Sequence, residues 1–554
     1  MVHRQVRGPG VPLFSGVVFC LRRPGFDDES GMPRLLALLS LCASAFAAEP
    51  QRPNIVFIFS DDHAYQAISA YGDERKLIQT PNIDRIAKEG MRFDRALVTN
   101  SICGPCRAVI LTGKYSHRNG FYNNTNSVFD GTQTTFPKLL QAAGYQTAMV
   151  GKWHLNSDPT GFDFWQVLQG QGIYYNPPMK TAQGVVKTAG YVTDITTDVS
   201  LGWLAKRDKS KPFMLMCQHK APHREWSPNL SDLGWDKGRV YPEPPTLFDD
   251  YKDRAFAVGD QDMTLAKTIN PLDMKLVHPP GMTAEQAKVW DAFYEPINEA
   301  YRQAKPAGRD LVKWRYQRYM HDYLGCVKSV DDNVGRVLKY LEAEGLLANT
   351  IVIYSADQGF YLGEHGWFDK RWIFEESVRT PLLVRWPGVT PAGSVNKSLV
   401  ANVDLAQTFL DMAGVPAPAE MQGRSLRPLL AGQVPADWRK EFYYHYYEYP
   451  EPHHVSPHYG VITADYKLVH YYGTGHDAVD LFDTAKDPLE LKSFAGQKEY
   501  AEIQADLEAR LKRLRTELQV PEVDDPDATG ERTHRERQAK AAKNAGKKKA
   551  EGAK

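Results

Sequence analysis

The residues with the most chemistry to offer stand together in Ser101-Ile102-Cys103-Gly104-Pro105-Cys106-Arg107, continued by an apolar run and Thr112-Gly113. Pro105 suits a first helical turn and Gly113 a helix end, so the stretch reads as a tight turn delivering Cys103 to the start of a short helix. A side chain there faces unpaired N–H groups and the positive end of the helix dipole, which favours an anionic group. Four more polar clusters each follow an apolar run. Ile55-Val56-Phe57-Ile58-Phe59 leads to Ser60-Asp61-Asp62-His63, and Thr147-Ala148-Met149-Val150 leads to Gly151-Lys152-Trp153-His154. Phe213-Met214-Leu215-Met216 leads to Gln218-His219-Lys220-Ala221-Pro222-His223. Ile351-Val352-Ile353-Tyr354 leads to Asp357-Gln358-Gly359, with Asp369-Lys370-Arg371 soon after. Adjacent carboxylates at the end of a buried strand are costly unless neutralised, and a hard divalent cation would do that. Asp331-Asp332, by contrast, reads as an ordinary helix surface.

Uninterrupted apolar runs of this kind form buried parallel strands, and ligands of open α/β sheets bind outside the carboxyl ends of such strands. The clusters should therefore converge on one crevice. Amphipathic patterns over 133–143 and 321–345 alternate with the strands, which argues for an α/β fold with a mainly parallel sheet sandwiched by helices. Residues 228–312, rich in Pro, Asp and Lys, read as an insertion of loops and short helices shaping the mouth of the crevice. A helix over 403–413 stops at Gly414. Residues 440–482 are dense in Tyr and His, with alternating strands at 459–462 and 466–470. They read as a smaller α+β antiparallel-sheet subdomain closed by a helix over 497–518.

Cys103-Gly-Pro-Cys106 has the wording of a thioredoxin-type redox pair, and taken alone the motif leaves that reading open, along with a buried cysteine pair capping a helix. The same residues, as Cys103-x-Pro105-x-Arg107 followed by Leu111-Thr112-Gly113-Lys114, resemble the signature of type I, formylglycine-dependent sulfatases of the alkaline phosphatase superfamily. Every cluster named above matches a family motif in order, over residues 52 to about 518. The redox reading accounts for none of Asp61-Asp62, Gly151–His154 or Asp357-Gln358, and no tryptophan precedes Cys103.

The resemblance implies an alkaline phosphatase-like fold and a Cys103 oxidised after translation to formylglycine (3-oxoalanine). One hydroxyl of its hydrate would attack sulfur, giving a covalent sulfo-enzyme, and the second would collapse to expel sulfate. It implies one Ca2+ per chain, held by Asp61, Asp62, Asp357, Gln358 and an oxygen of the converted Cys103, with Mg2+ as the alternative. Gln358 stands where many relatives have Asn. Arg107 and Lys152 match the residues that hold the hydrate and the sulfate charge, with Lys114 a further candidate. His223 and Lys370 match the positions nearest the leaving oxygen, His223 being preferred to His219 for its Pro222-His223 step. His154 matches the residue that takes the second hydroxyl's proton. The wording of Asn100–Cys103, Lys114–His117, Glu448-Tyr449-Pro450 and His458-Tyr459-Gly460 looks most like bacterial N-acetylglucosamine-6-O-sulfatases. That implies hydrolysis of a carbohydrate sulfate ester, 6-O-sulfated N-acetylglucosamine in a glycan, with Asp369, Arg371 and His453 on sugar hydroxyls. The implied partners are a sulfated glycan and a formylglycine-generating or anaerobic sulfatase-maturing enzyme, without nucleic acid or membrane insertion. The alternatives are a phosphonate or phosphodiester hydrolase of the same superfamily, or an exported glycan-binding protein with a dead site.

The rest of the chain bounds these readings. Its 554 residues have zero formal net charge and are 42% apolar, as in an ordinary globular protein. After Met32-Pro33-Arg34, an apolar run and Ala45-Phe46-Ala47 have the form of a signal peptide, so residues 1–48 read as an upstream extension plus leader with the true start at Met32. The expected location is periplasmic or secreted. Residues 531–554 carry nine Lys or Arg against three acids, and the segment 521–554 is expected to be a disordered basic tail. The body between the two ends is net acidic, so attraction for a sulfate ester must be local. Six cysteines, four of them outside the leader, build no disulfide framework. The expected divisions are a catalytic domain over 49–435 and a C-terminal subdomain over 436–520.

Overall fold

The computed structural model describes residues 52–540 apart from 451, 526, 534 and 537; the expected leader and residues 541–554 lie outside the described residues. In chain order the strands of the main sheet are β1 (Asn54–Ser60), β2 (Met91–Leu97), β3 (Gln146–Lys152), β4 (Phe164–Leu168), β5 (Pro178–Thr181), β6 (Gly184–Lys187), β7 (Phe213–His219), β8 (Thr350–Ala356), β9 (Arg379–Arg385), β10 (Ser394–Asn396) and β11 (Val400–Ala401). Their order is β10-β2-β9-β8-β1-β7-β3-β4-β5-β6, with β11 also on β2. The centre, β8-β1-β7-β3-β4, is parallel, while β9 joins both β8 and β2 antiparallel and β5 and β6 continue antiparallel beyond β4. The four strands expected from apolar runs are thus adjacent in that parallel centre.

Alternation along β1 divides the core between the two faces of the sheet. Ile55, Phe57 and Phe59 pack with apolar residues of the helices Cys103–Thr112, Phe136–Ala142 and Leu405–Met412. Val56 and Ile58 pack on the other face, with the helices Pro81–Lys88, Val192–Lys206 and Gly308–Ala343. The helix Cys103–Thr112 is buried at every position, which its apolar sequence allows.

The second sheet is antiparallel, with β12 (Phe442–Tyr446), β13 (His458–Ile462), β14 (Tyr466–Tyr471) and β15 (Ala478–Asp483) in sequence order, and the helix Ala501–Glu517 buries Leu507 and Leu511 against it. Phe442, Val461, Leu468 and Leu481 belong to the same continuous apolar cluster as Phe57 and Phe409. The small sheet therefore shares a core with one face of the main sheet. Part of the segment expected to form the tail is packed as well: Ala528 is fully buried, and Asn123 donates to the carbonyls of Asp527 and Ala528.

Two expectations are corrected. Asp331 is not a surface residue; it is buried on the helix Gly308–Ala343 and accepts hydrogen bonds from the backbone N–H groups of Asn82 (3.1 Å) and Ile83 (2.8 Å). It caps a neighbouring helix whose first residue is Pro81, satisfying N–H groups that have no partner within their own helix. The insertion is also more regular than expected, because Ala284–Ala304 is a helix of 21 residues opened by a Thr283–Gln286 capping box. It buries only Trp290, Tyr294 and Asn298, spaced by four, and so leaves a thin apolar signal.

Gly151, the residue before Lys152 on β3, has φ 99°, and a Cβ there would strike the Gln218 carbonyl of the adjacent β7. Gly151→Ala should destabilise the protein by about 3 kcal/mol through overpacking and backbone strain, read out as a lower denaturation midpoint in urea.

Candidate active site

The parallel registers place Ser60 beside both His219 and Ala356, and Gly151 beside Gln218, so the residues that follow these strands emerge at one edge of the sheet. Asp61, Asp62 and Asp357 meet there with carboxylate oxygens within 4.8 Å of one another, and Cys103 Sγ, His223 and Asp61 form an overlapping group of the same size. Cys103 enters from the helix beneath. Gly104, next to it, has no room for a Cβ against Asn124 and Phe121, and its N–H donates to Asn124 Oδ1 at 3.0 Å.

Three cations face the three carboxylates. Arg107, one turn along the helix from Cys103, donates to Asp357 Oδ2 (2.9 Å), Gln218 Oε1 (2.6 Å) and the Lys152 carbonyl (2.8 Å), and lies 3.6 Å from Asp61 Oδ1. Lys152 Nζ is paired with Asp61 and donates to Gln171 Oε1 at 2.5 Å. Lys370 Nζ straddles the Asp62 carboxylate at 2.7 and 2.8 Å, and Gln358 donates its amide to the same carboxylate. All of these side chains except Gln171 are buried. Burial raises the Asp61 pKa, but Lys152 and Arg107 outweigh it and hold the group well below the carboxylate range. Burial pushes Asp62 up to about 6 against the pull of Lys370, with Asp61 adding to the rise. Asp357 is pushed well up by burial and by Asp61.

Such a set suits a hard divalent cation. Asp61 Oδ1 and Gln358 Oε1 are buried without a hydrogen-bond partner, and the donors of Asp61, Asp62, Asp357 and Gln358 are all oxygens. The cation would supply Lewis-acid polarisation at that point.

The histidines are held neutral. Burial and the nearby Lys152 push His154 well below the ordinary histidine range, its φ is 54°, and its Nδ1 has no partner. Burial and Lys152 likewise push His223 well down; its Nδ1 lies 2.6 Å from the Arg224 carbonyl, so Nδ1–H donates there and Nε2 faces Asp62 at 3.7 Å. Lys370 goes the other way: burial works against its charge, but Asp62 outweighs burial and holds the ammonium well above its usual range. His219, the last residue of β7, has its ring beside Cys217 Sγ.

Asp369, Arg371 and His453 are also brought together. His453 Nε2 pairs with Asp369 Oδ2 at 2.9 Å, Arg371 lies 3.5 Å from the same oxygen, and Arg371 is held by Tyr446 Oη (3.0 Å) and Glu448 Oε1 (3.3 Å). Asp369 and Arg371 flank Lys370 with φ of 77° and 93°, a left-handed backbone imposed on both sides of the lysine. Lys114 does not join the site. It follows the C-terminal end of a ten-residue helix whose first residue is Cys103, which puts the two about 15 Å apart along the axis.

The thiols lack the setting of a redox pair. Cys103 and Cys106 are both free and buried; burial and Asp61 push the Cys103 thiol well up, and Cys106 accepts a hydrogen bond from Asn402 at 3.2 Å. The match to known proteins decides the matter: the sulfatase family model covers residues 53–415, and that of the N-sulphoglucosamine sulphohydrolase C-terminal region covers 363–517. The chain belongs to the sulfatase family. It is therefore a sulfuric ester hydrolase, and the redox reading falls. It is 48% identical to the N-acetylglucosamine-6-O-sulfatase of Bacteroides thetaiotaomicron over 89% of this chain and 92% of that one. It is 30% identical to the human N-acetylglucosamine-6-sulfatase over 74% of this chain and 70% of that one. The solved structure of BT4656 with its substrate D-glucosamine-2-N,6-O-disulfate superimposes with a TM-score of 0.83 at 47% identity, over 86% of this chain and all of that chain.

Sequence reasoning gave no role to Gln218, Gln171 and Glu448, which here hold Arg107, Lys152 and Arg371. Gln218 closes an apolar strand beside residues already singled out, a signal that was available. Glu448 stood in a motif already quoted for the resemblance but without a role, which its contact with Arg371 supplies; Gln171 carried no signal, because amides in polar loops are common and only its contact with Lys152 distinguishes it.

If the oxygen cluster holds a divalent cation, adding Ca2+ to chelator-treated protein should raise its thermal midpoint. Asp61→Asn and Asp357→Asn should abolish that response, as calorimetry with and without Ca2+ would measure. An unchanged midpoint in the unmutated protein would remove the assignment.

Proposed function

We propose that this sulfatase is exported and removes the 6-O-sulfate from N-acetylglucosamine or glucosamine in a glycan, using a formylglycine made from Cys103 and one bound Ca2+. The observation that carries the substrate reading is the convergence of Asp369, Arg371 and His453 in one network beside Lys370. Apart from the contact of Asp369 with Lys370 it stands outside the carboxylate–cation cluster, and it offers a sugar both donors and an acceptor. The names of the relatives above support the same reading.

The converted Cys103 would supply the nucleophile and the cation its activation. The remaining work falls to the chain's own side chains. Arg107 and Lys152, each fixed by at least two partners, present positive charge to the sulfate oxygens without having to reorganise. His154, neutral and with a buried Nδ1 that has no partner, is suited to accept the proton of the second hydroxyl. Lys370 holds its proton and is the group placed to meet the negative charge of the leaving oxygen, while His223 Nε2, unprotonated, orients beside it. Export would be followed or preceded by a maturation enzyme acting on the stretch 101–114.

Two measurements test this reading. Mass spectrometry of the peptide spanning Ser101 to Lys114, on protein made with a maturation system, should find an aldehyde at residue 103; a thiol or a Cys103–Cys106 disulfide would end the mechanism. Asp369→Ala and Arg371→Ala should lower kcat/KM on 6-O-sulfated N-acetylglucosamine by about tenfold or more, the worth of a charge-assisted hydrogen bond, with a much smaller change on para-nitrophenyl sulfate. Equal losses on both substrates would overturn the assignment of these residues to the sugar.

A further inference from the structure

Among the residues of the insertion over 228–312, Asp262 is the one that meets His453 with its side chain. Its carboxylate meets His453 Nδ1 at 3.0 Å, and its backbone N–H donates to the His453 carbonyl at 3.1 Å. Asp262 is thus clasped to His453 at two points, although the two residues are far apart in sequence. The other ring nitrogen of His453, Nε2, is the one aimed at Asp369 Oδ2 at 2.9 Å. Phe368 packs edge-on against the same ring, with centroids 5.4 Å apart at 90°. Asp369 Oδ1 is buried, lies 3.3 Å from Lys370 Nζ and accepts no hydrogen bond. The side chain of Asp262 itself is 55% exposed, so it fills no core space.

With a carboxylate oxygen within 3.0 Å of each nitrogen, the His453 ring donates from both, so Asp262 fixes the direction of the ring and thereby what Nε2–H can reach. We propose that Asp262 is a specificity-determining positioning residue. By holding His453 Nδ1 it aims Nε2 at Asp369 Oδ2, and that engagement leaves Asp369 Oδ1 as the acceptor for a sugar hydroxyl next to the leaving oxygen. The insertion then contributes to sugar recognition by orienting a residue of the small sheet's approach loop, without touching the sulfate. The inference rests on the proposed role of Asp369 and His453 toward sugar.

The test is a double-mutant cycle on the matured, full-length enzyme, with kcat and KM measured on 6-O-sulfated N-acetylglucosamine and on para-nitrophenyl sulfate. Asp262→Ala should cost about tenfold in kcat/KM on the sugar, as expected for losing a hydrogen bond to a charged group, and less than about twofold on the aryl sulfate. Asp262→Asn keeps an oxygen that accepts from Nδ1–H and should recover most of the loss. In a His453→Ala background, Asp262→Ala should add less than about twofold, because the two residues act as one unit. If His453→Ala is selective for the sugar while Asp262→Ala is silent, hits both substrates equally or adds its full effect to His453→Ala, the inference fails and the proposed sugar site stands. If His453→Ala is itself not selective, the sugar-site reading fails and takes the inference with it.

Discussion

Burying three carboxylates side by side is the constraint on which this molecule is built. Asp61, Asp62 and Asp357 are almost fully shielded from water, where isolated charges are costly. Arg107, Lys152 and Lys370 balance them, each arriving from a different element: the helix behind Cys103, the end of β3 and the loop after β8. None of these pairings is local in sequence. The parallel centre of the main sheet brings them within bonding distance, because strands running in one direction release their following residues at one edge. Gly151 lets β3 and β7 approach closely enough for Lys152 to reach Asp61, and Gln218 on β7 holds Arg107 between Asp61 and Asp357. The charge balance and the strand order depend on each other.

The same kind of interaction joins the small sheet to the site. Tyr444 on β12 accepts a hydrogen bond from Ser101 N–H at 3.2 Å and donates to the Arg371 carbonyl at 2.5 Å, tying the turn before Cys103 to the loop that carries Lys370. Glu448 links that loop to Asn124, through Arg371 on one oxygen and the Asn124 N–H on the other. Lys467 on β14 is buried and pairs with Glu490 (2.9 Å) and Glu375 (3.2 Å), anchoring the start of the segment that leads into β9. The C-terminal sheet is therefore part of the active-site scaffold, in keeping with its share of the common core. Removing it would leave the Lys370 loop, with its two left-handed residues, without the contacts that hold its backbone in place.

Much of this was legible in the sequence, for a definite reason. An apolar run that ends abruptly in acids, lysine or histidine is the signature of a buried strand opening on a polar crevice, and each of the four runs behaved so. The helix from Cys103 was legible from Pro105 and Gly113. What escaped was whatever depended on a distant partner. Asp331 looks like any acid on an amphipathic helix until the helix beginning at Pro81 is laid against it. The helix Ala284–Ala304 buries three of its 21 residues, too thin a stripe to stand out in a segment rich in charge. Lys114 belongs to the same motif as Cys103, but a ten-residue helix separates the two ends.

The sequence by itself determined the chemistry available: a cysteine at a helix start, oxygen donors for a hard cation, and basic side chains for an anionic ester. Those properties reside in residue types and in spacings of a few residues, where helix and strand geometry leave little freedom. The tertiary structure alone decided which of these groups work together. It set Arg107 against Asp357, Lys370 against Asp62 and Asp262 behind His453, and it left Lys114 and His219 aside. Pairings across a hundred or more residues follow from strand order, register and the direction in which each loop leaves the sheet, and no local pattern in the chain encodes them.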